Sequence, residues 1–117
     1  MAGESAVGVV VHLDEADPAK HAAVLGNITN LMEELADGSP VELVVHGGGL
    51  GAALADGPEA DRVRHLLGQG LGVAACANTM RRDGVTPERL VEGVAVVPAG
   101  LAQLVRRQRQ GWAYVRP

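Results

Sequence analysis

Short aliphatic runs recur along the chain with helix-like segments between them, and this alternation constrains the fold more than any other feature. A Val-rich run from Ala6 to Leu13 is broken only by Gly8 and His12, and further runs occupy Val41 to His46, Leu71 to Ala75, Val94 to Val97 and Trp112 to Val115. Each has the length of a strand, and each is bounded by Gly, Pro or Asp. Between the first two runs, Asp17 suits a helix cap and Pro18 the first helical position. The segment beyond sets Val24, Leu25, Ile28, Leu31, Met32 and Leu35 at the i, i+3, i+4 spacing of one buried face. Asp37-Gly38-Ser39-Pro40 ends it. A second helix starts after Gly57-Pro58, carries Val63, Leu66 and Leu67 inward and stops around Gly68 to Gly70. A short helix covers Ala77 to Arg82, and a turn begun by Thr86-Pro87 runs through Leu90 to Gly93. The last helix, Gly100 to Gln110, is expected to bury Leu101, Leu104 and Val105 and to stop at Gly111. The pattern is β-α repeated without linker or internal repeat, which predicts one α/β domain over residues 1–117 with a parallel sheet between helices and right-handed crossovers.

Composition supports that reading. Hydrophobic residues make up 47% of the 117-residue chain, yet aromatics only 2%, with no Phe. Such a core is built from Val, Leu, Ile and Ala, as in parallel strands covered on both faces. The net charge of −4 argues against general nucleic-acid affinity, which needs a basic face. Met1 to Ser5 lacks a signal-peptide pattern, and the apolar runs are too short to span a bilayer. Cys76 is the only cysteine, so no internal disulfide forms, and a reduced, cytoplasmic protein is expected.

In open α/β sheets ligands bind outside the carboxyl ends of the strands. Here the first strand ends at His12, the second at His46 followed by Gly47, Gly48 and Gly49, and the third at Cys76 followed by Asn78 and Thr79. If those strands are neighbours, two imidazoles and a thiol share one edge. Cys76 stands at a strand-to-helix junction, where free N–H groups and the helix dipole favour a thiolate. The competing reading is a small buried hydrophobe. His12 and His46 either tune the thiol or satisfy backbone groups at strand ends. Two His and one Cys without CxxC or HxxxH spacing do not predict a metal site. His21 and His65 fall within helices and are read as partly exposed structural residues.

Gly47 to Gly51 reads as a flexible loop, with a short helical turn from Leu50 to Ala55. It lacks the GxxxxGK[ST] of a phosphate loop, the next strand lacks the terminal acid of a dinucleotide fold, and no GxSxG nucleophile accompanies His46-Gly47-Gly48-Gly49. What remains is backbone amides able to approach an anion or an interface. Asn27 and Asn30 flank the first helix's apolar stripe and suit a structural or interface role. Arg106, Arg107 and Arg109 complement the last helix's C-terminal dipole from a solvated face.

The His12 strand end, Asn27-Ile28-Thr29-Asn30, Val44-Val45-His46-Gly47, Ala75-Cys76-Ala77-Asn78-Thr79-Met80, Val96-Val97-Pro98-Ala99-Gly100 and the tail Arg107 to Val115 occur in that order along the chain. In these segments the sequence resembles the DsrE/DsrF-like family, specifically its small, single-domain, YchN-like branch. The resemblance implies a three-layer α/β/α fold, flavodoxin-like in general architecture, with a five-stranded parallel sheet whose first three strands are adjacent. It also implies a homotrimer or homohexamer and a sulfur-relay role, with sulfur carried as a persulfide on Cys76 between donor and acceptor proteins. No cofactor, membrane or direct nucleic-acid partner is implied. The alternative is a non-catalytic oligomeric module holding a small anion or nucleotide-like ligand at the strand ends, with Cys76, Gly47, Gly48, Gly49, Asn78 and Thr79 as pocket lining. A thiol-dependent reductase ranks behind both, since no second cysteine exists to resolve a mixed disulfide.

Overall fold

A computed structural model describes residues 7–117. The start of the first expected strand at Ala6 and the Met1 to Ser5 segment lie outside the described residues. Five strands, β1 (Val9–Leu13), β2 (Val41–Val45), β3 (Gly72–Cys76), β4 (Ala95–Val97) and β5 (Ala113–Val115), form one sheet in the order β4-β3-β2-β1-β5, with every pair parallel. Four α-helices alternate with them: α1 (Pro18–Glu34), α2 (Ala60–Gly68), α3 (Ala77–Asp83) and α4 (Gly100–Arg109). The first three strands are therefore adjacent, with β2 at the centre. Asp17 caps α1 by accepting the Ala19 N–H at 3.0 Å, and Pro18 opens the helix.

Side chains alternate between the faces of a strand, so the sheet sorts its residues by parity. Val9, Val11, Leu13, Leu43, Val45, Val73 and Ala75 enter the main core beneath α1 and α2. Val10, Val44 and Ala74 face the other way and meet Leu104 of α4. His12, two residues beyond Val10, and Cys76, two beyond Ala74, share the parity of that second face. The aliphatic strands thus do two jobs: one face builds the core, and the other, thinly covered by a single helix, carries the polar residues.

The last helix departs from expectation. Leu104 is buried, but Leu101 and Val105 are 61% and 44% exposed. The inward stripe is instead Gly100, Gln103, Leu104 and Arg107, because β2 offers Glu42 on that face. Glu42 accepts from Gln103 Nε2 at 3.0 Å and from Arg107 Nε at 2.9 Å. Arg107 also lies 4.2 Å over the Trp112 ring, so it is a packed residue rather than part of a solvated basic face. His21 is likewise buried, with Nε2 2.6 Å from the Glu15 carbonyl that it ties to α1. His65 is exposed, as expected.

The segment after β2 is a packed 3₁₀ helix, Gly47–Ala53, so the helical turn expected from Leu50 starts three residues earlier and takes in the glycines read as a flexible loop. A Cβ on Gly48 would stand 2.6 Å from Ala16 N, and one on Gly49 only 2.0 Å from the Leu13 carbonyl oxygen. These glycines let the turn lie against the β1–α1 loop.

Candidate functional site

Cys76 is the last residue of β3 and the N-cap of α3, and it is 5% exposed. Two helices begin at its sulfur. The Asn78 and Thr79 N–H groups and the Thr79 hydroxyl of α3, with the Gly100 N–H of α4, favour the anion at this sulfur, although Cys76 closes no side-chain capping hydrogen bond to α3. Burial pushes the Cys76 thiol up, but these donors together outweigh it and hold the thiol below its ordinary value of 9.0. Thr79 links the strands as well: its hydroxyl oxygen accepts the Gly47 N–H at 2.9 Å. Gly100 is essential to the approach of α4. A Cβ there would stand 3.0 Å from His46 Cβ and 3.4 Å from Cys76 Cβ, so this glycine is wedged between the two side chains.

The histidines meet one strand away. His12 Nε2 and His46 Nε2 are 2.7 Å apart, one ring donating and the other accepting, and the rings stack with centroids 4.8 Å apart. The register explains the meeting. His12 lies opposite Val44, so His46, two residues further along β2, leans back across the rung. His12 Nδ1 is 2.6 Å from the Tyr114 hydroxyl of β5, and its Nε2 is 3.8 Å from Asp14 Oδ2. Arg116 Nη2 holds the other Asp14 oxygen, Oδ1, at 3.0 Å. Burial first, and His46 second, hold the His12 pKa below 6.5 against the opposing pull of Asp14. His12 is therefore a neutral imidazole at neutral pH.

The structure thus places Cys76, His46 and His12 along one sheet edge, with Thr79 and Asn78 at the thiol. The roles expected of the glycines differ. The Gly47 N–H is given to Thr79 and the Gly49 N–H to the His46 carbonyl, so these amides serve packing. Asn27 and Asn30 are exposed on α1, away from the thiol; Asn27 borders a shallow apolar cleft with Val11, Ile28, Leu31, Val115 and Pro117. Four residues absent from the expected site belong to it: Gly100, Tyr114, Asp14 and Arg116. Gly100 and Tyr114 lie in segments that carry the family resemblance, whereas Asp14 and Arg116 gave no sequence signal. As for metal ligands, donor atoms of His12, Asp14 and His46 all lie within 4.8 Å of one another.

A parallel α/β sheet bearing a thiol at the meeting of two helix starts, flanked by a histidine pair, defines a small thiol protein of the α/β class. The chain belongs to the DsrE/DsrF-like family, whose match spans residues 7–117, and the family's general association is with sulfur relay. It is similar over 95% of its length to the protein of unknown function MTH1491 from Methanobacterium thermoautotrophicum, at 39% identity and a TM-score of 0.90, with 99% of that chain covered. The YchN protein from E. coli shares the fold at a TM-score of 0.80 and 15% identity, over 95% of this chain and 99% of that one. No curated protein matches. Among the described residues, no helix is long and apolar enough to cross a membrane.

Proposed function

We propose that this protein carries sulfane sulfur as a persulfide on Cys76. The observation that supports it most is the convergence of N–H groups from two helices, α3 and α4, on one sulfur that burial alone would keep protonated. The Cys76 thiolate attacks the terminal sulfur of a donor persulfide, R–S–SH. The new Cys76 S–S bond forms as the donor's S–S bond breaks, and the donor leaves as R–S⁻. The reverse exchange with an acceptor thiolate returns Cys76 to its starting form, and no external oxidant is consumed. The same N–H groups that hold the thiolate suit the anionic leaving form in the second step. His46, on the far side of Gly100, lines the approach, and His12 holds His46 in place.

Exposed Leu101 and Val105 leave an apolar patch on the outer side of α4, which supports self-association into a homo-oligomer through the thinly clad face of the sheet. Donor and acceptor proteins would then reach Cys76 from the strand ends. Incubation with a small persulfide donor should raise the intact mass by one sulfur atom in the wild type and leave Cys76→Ser unchanged. A wild-type protein that gains no sulfur would count against the proposal.

A further inference from the structure

We propose that His12, His46 and Asp14 bind a single divalent transition-metal ion, Zn²⁺ being the ion their chemistry suits. This does not depend on sulfur carriage by Cys76. Two imidazole nitrogens and a carboxylate oxygen are the donor set of zinc sites that keep three protein ligands and one open position. The three donors come from the end of β1, the loop after it and the first residue beyond β2, and they already lie within 4.8 Å of one another.

The histidine pair needs little movement to accept the ion. Its Nε2 atoms face each other at 2.7 Å with one proton between them. Two Zn–N bonds of about 2.0–2.1 Å at a tetrahedral angle need roughly 3.3 Å between the nitrogens. His46 lies outside the strand and is only partly buried, so its ring can open that gap. In the metal-bound form both rings carry their proton on Nδ1, and the ring that donated through Nε2 changes tautomer without losing a net proton. For His12 the Tyr114 hydroxyl, 2.6 Å from Nδ1, is positioned to accept that N–H. Asp14 is supported in the same way: Arg116 takes Oδ1, while Oδ2 is the oxygen nearer His12 Nε2, at 3.8 Å. Each of these two ligands therefore has an outer partner that fixes the orientation of its donor atom, the arrangement built metal sites use. Arg116 brings a like charge towards the ion, and at 49% exposure that charge is screened by solvent while Nη2 stays on Oδ1.

The test is titration of the chelator-stripped full-length chain with zinc chloride by calorimetry, with the cobalt(II) absorption spectrum as a second readout. The wild type should take up one ion per chain. Asp14→Asn and His46→Gln should each weaken binding by more than about a hundredfold, and Tyr114→Phe, which removes only an outer partner, by about tenfold. Asp14 and Tyr114 are not in the core, so circular dichroism should show those variants folded, which keeps the result readable if a His46 variant fails to fold. Cys76→Ser should bind as the wild type does, with no sulfur-to-cobalt charge-transfer band in either. No uptake by the wild type, uptake undiminished in Asp14→Asn, or loss of binding in Cys76→Ser would each overturn the assignment.

Discussion

Replacing Thr79 by Val isolates the part of the thiolate's support that comes from a side chain. Thr79 is buried, 6% exposed, and its hydroxyl accepts the Gly47 N–H at 2.9 Å and favours the anion at the Cys76 sulfur. Val keeps the shape and removes both the acceptor for Gly47 and the hydroxyl beside the sulfur. A hydrogen bond to a charged group contributes about 1.5–3 kcal/mol. At about 1.4 kcal/mol per pKa unit, its loss should raise the Cys76 pKa by roughly one to two units. The backbone donors of Thr79, Asn78 and Gly100 remain, so the rise is partial. The Gly47 N–H also loses its acceptor, which should cost about 1–3 kcal/mol of stability. The assay is the rate of Cys76 alkylation by iodoacetamide across pH, with the midpoint read for wild type, Thr79→Val and Thr79→Ser. Serine retains the hydroxyl and should keep a midpoint close to the wild type. Coincident midpoints for wild type and Thr79→Val would show that the hydroxyl has no part in holding the anion.

Three further outcomes follow from the same geometry. Gly100→Ala places a methyl 3.0 Å from His46 Cβ and should push the start of α4 away from the sulfur; unfolding should show a loss of about 1–3 kcal/mol, with the alkylation midpoint moved upward. Stability should also depend on pH through Cys76. Its folded pKa is lowered, so between that value and the ordinary 9.0 the unfolded chain binds more protons, and stability rises with pH across the window and is lost as pH falls through the folded pKa. Urea midpoints should show this rise for the wild type and not for Cys76→Ser. Finally, Leu101→Glu with Val105→Glu should yield a smaller species by sedimentation with an unchanged circular dichroism spectrum, since neither side chain is in the core.

Much of the fold was legible because periodicity and capping are local. The Asp17-Pro18 cap, the stripe through Val24, Leu25 and Ile28, and the glycine stop at Gly111 are each written within a few residues. The inward face of α4 was not, because what turns Gln103 and Arg107 inward is Glu42, sixty-odd residues away in sequence and alone among apolar neighbours on β2. The site divides in the same way. Cys76, His46 and His12 were visible as polar residues ending aliphatic strands. Tyr114 and Arg116 were hidden because they join the site only through the pairing of β5 with β1, a contact between the two ends of the chain. Gly47 to Gly49 misled for the opposite reason. Glycine signals close approach, and here what approaches is the chain's own Ala16 and Leu13.

If sulfur travels through Cys76, the atom itself can be followed from donor to acceptor. The protein is given a persulfide donor whose terminal sulfur is isotopically heavy, then freed of excess donor and offered an acceptor thiol. Intact and peptide mass spectra should show the heavy sulfur first on Cys76 and then on the acceptor, with the protein returned to its original mass. Heavy sulfur that never reaches Cys76, or that reaches the acceptor equally fast with Cys76→Ser, would rule out carriage by this thiol.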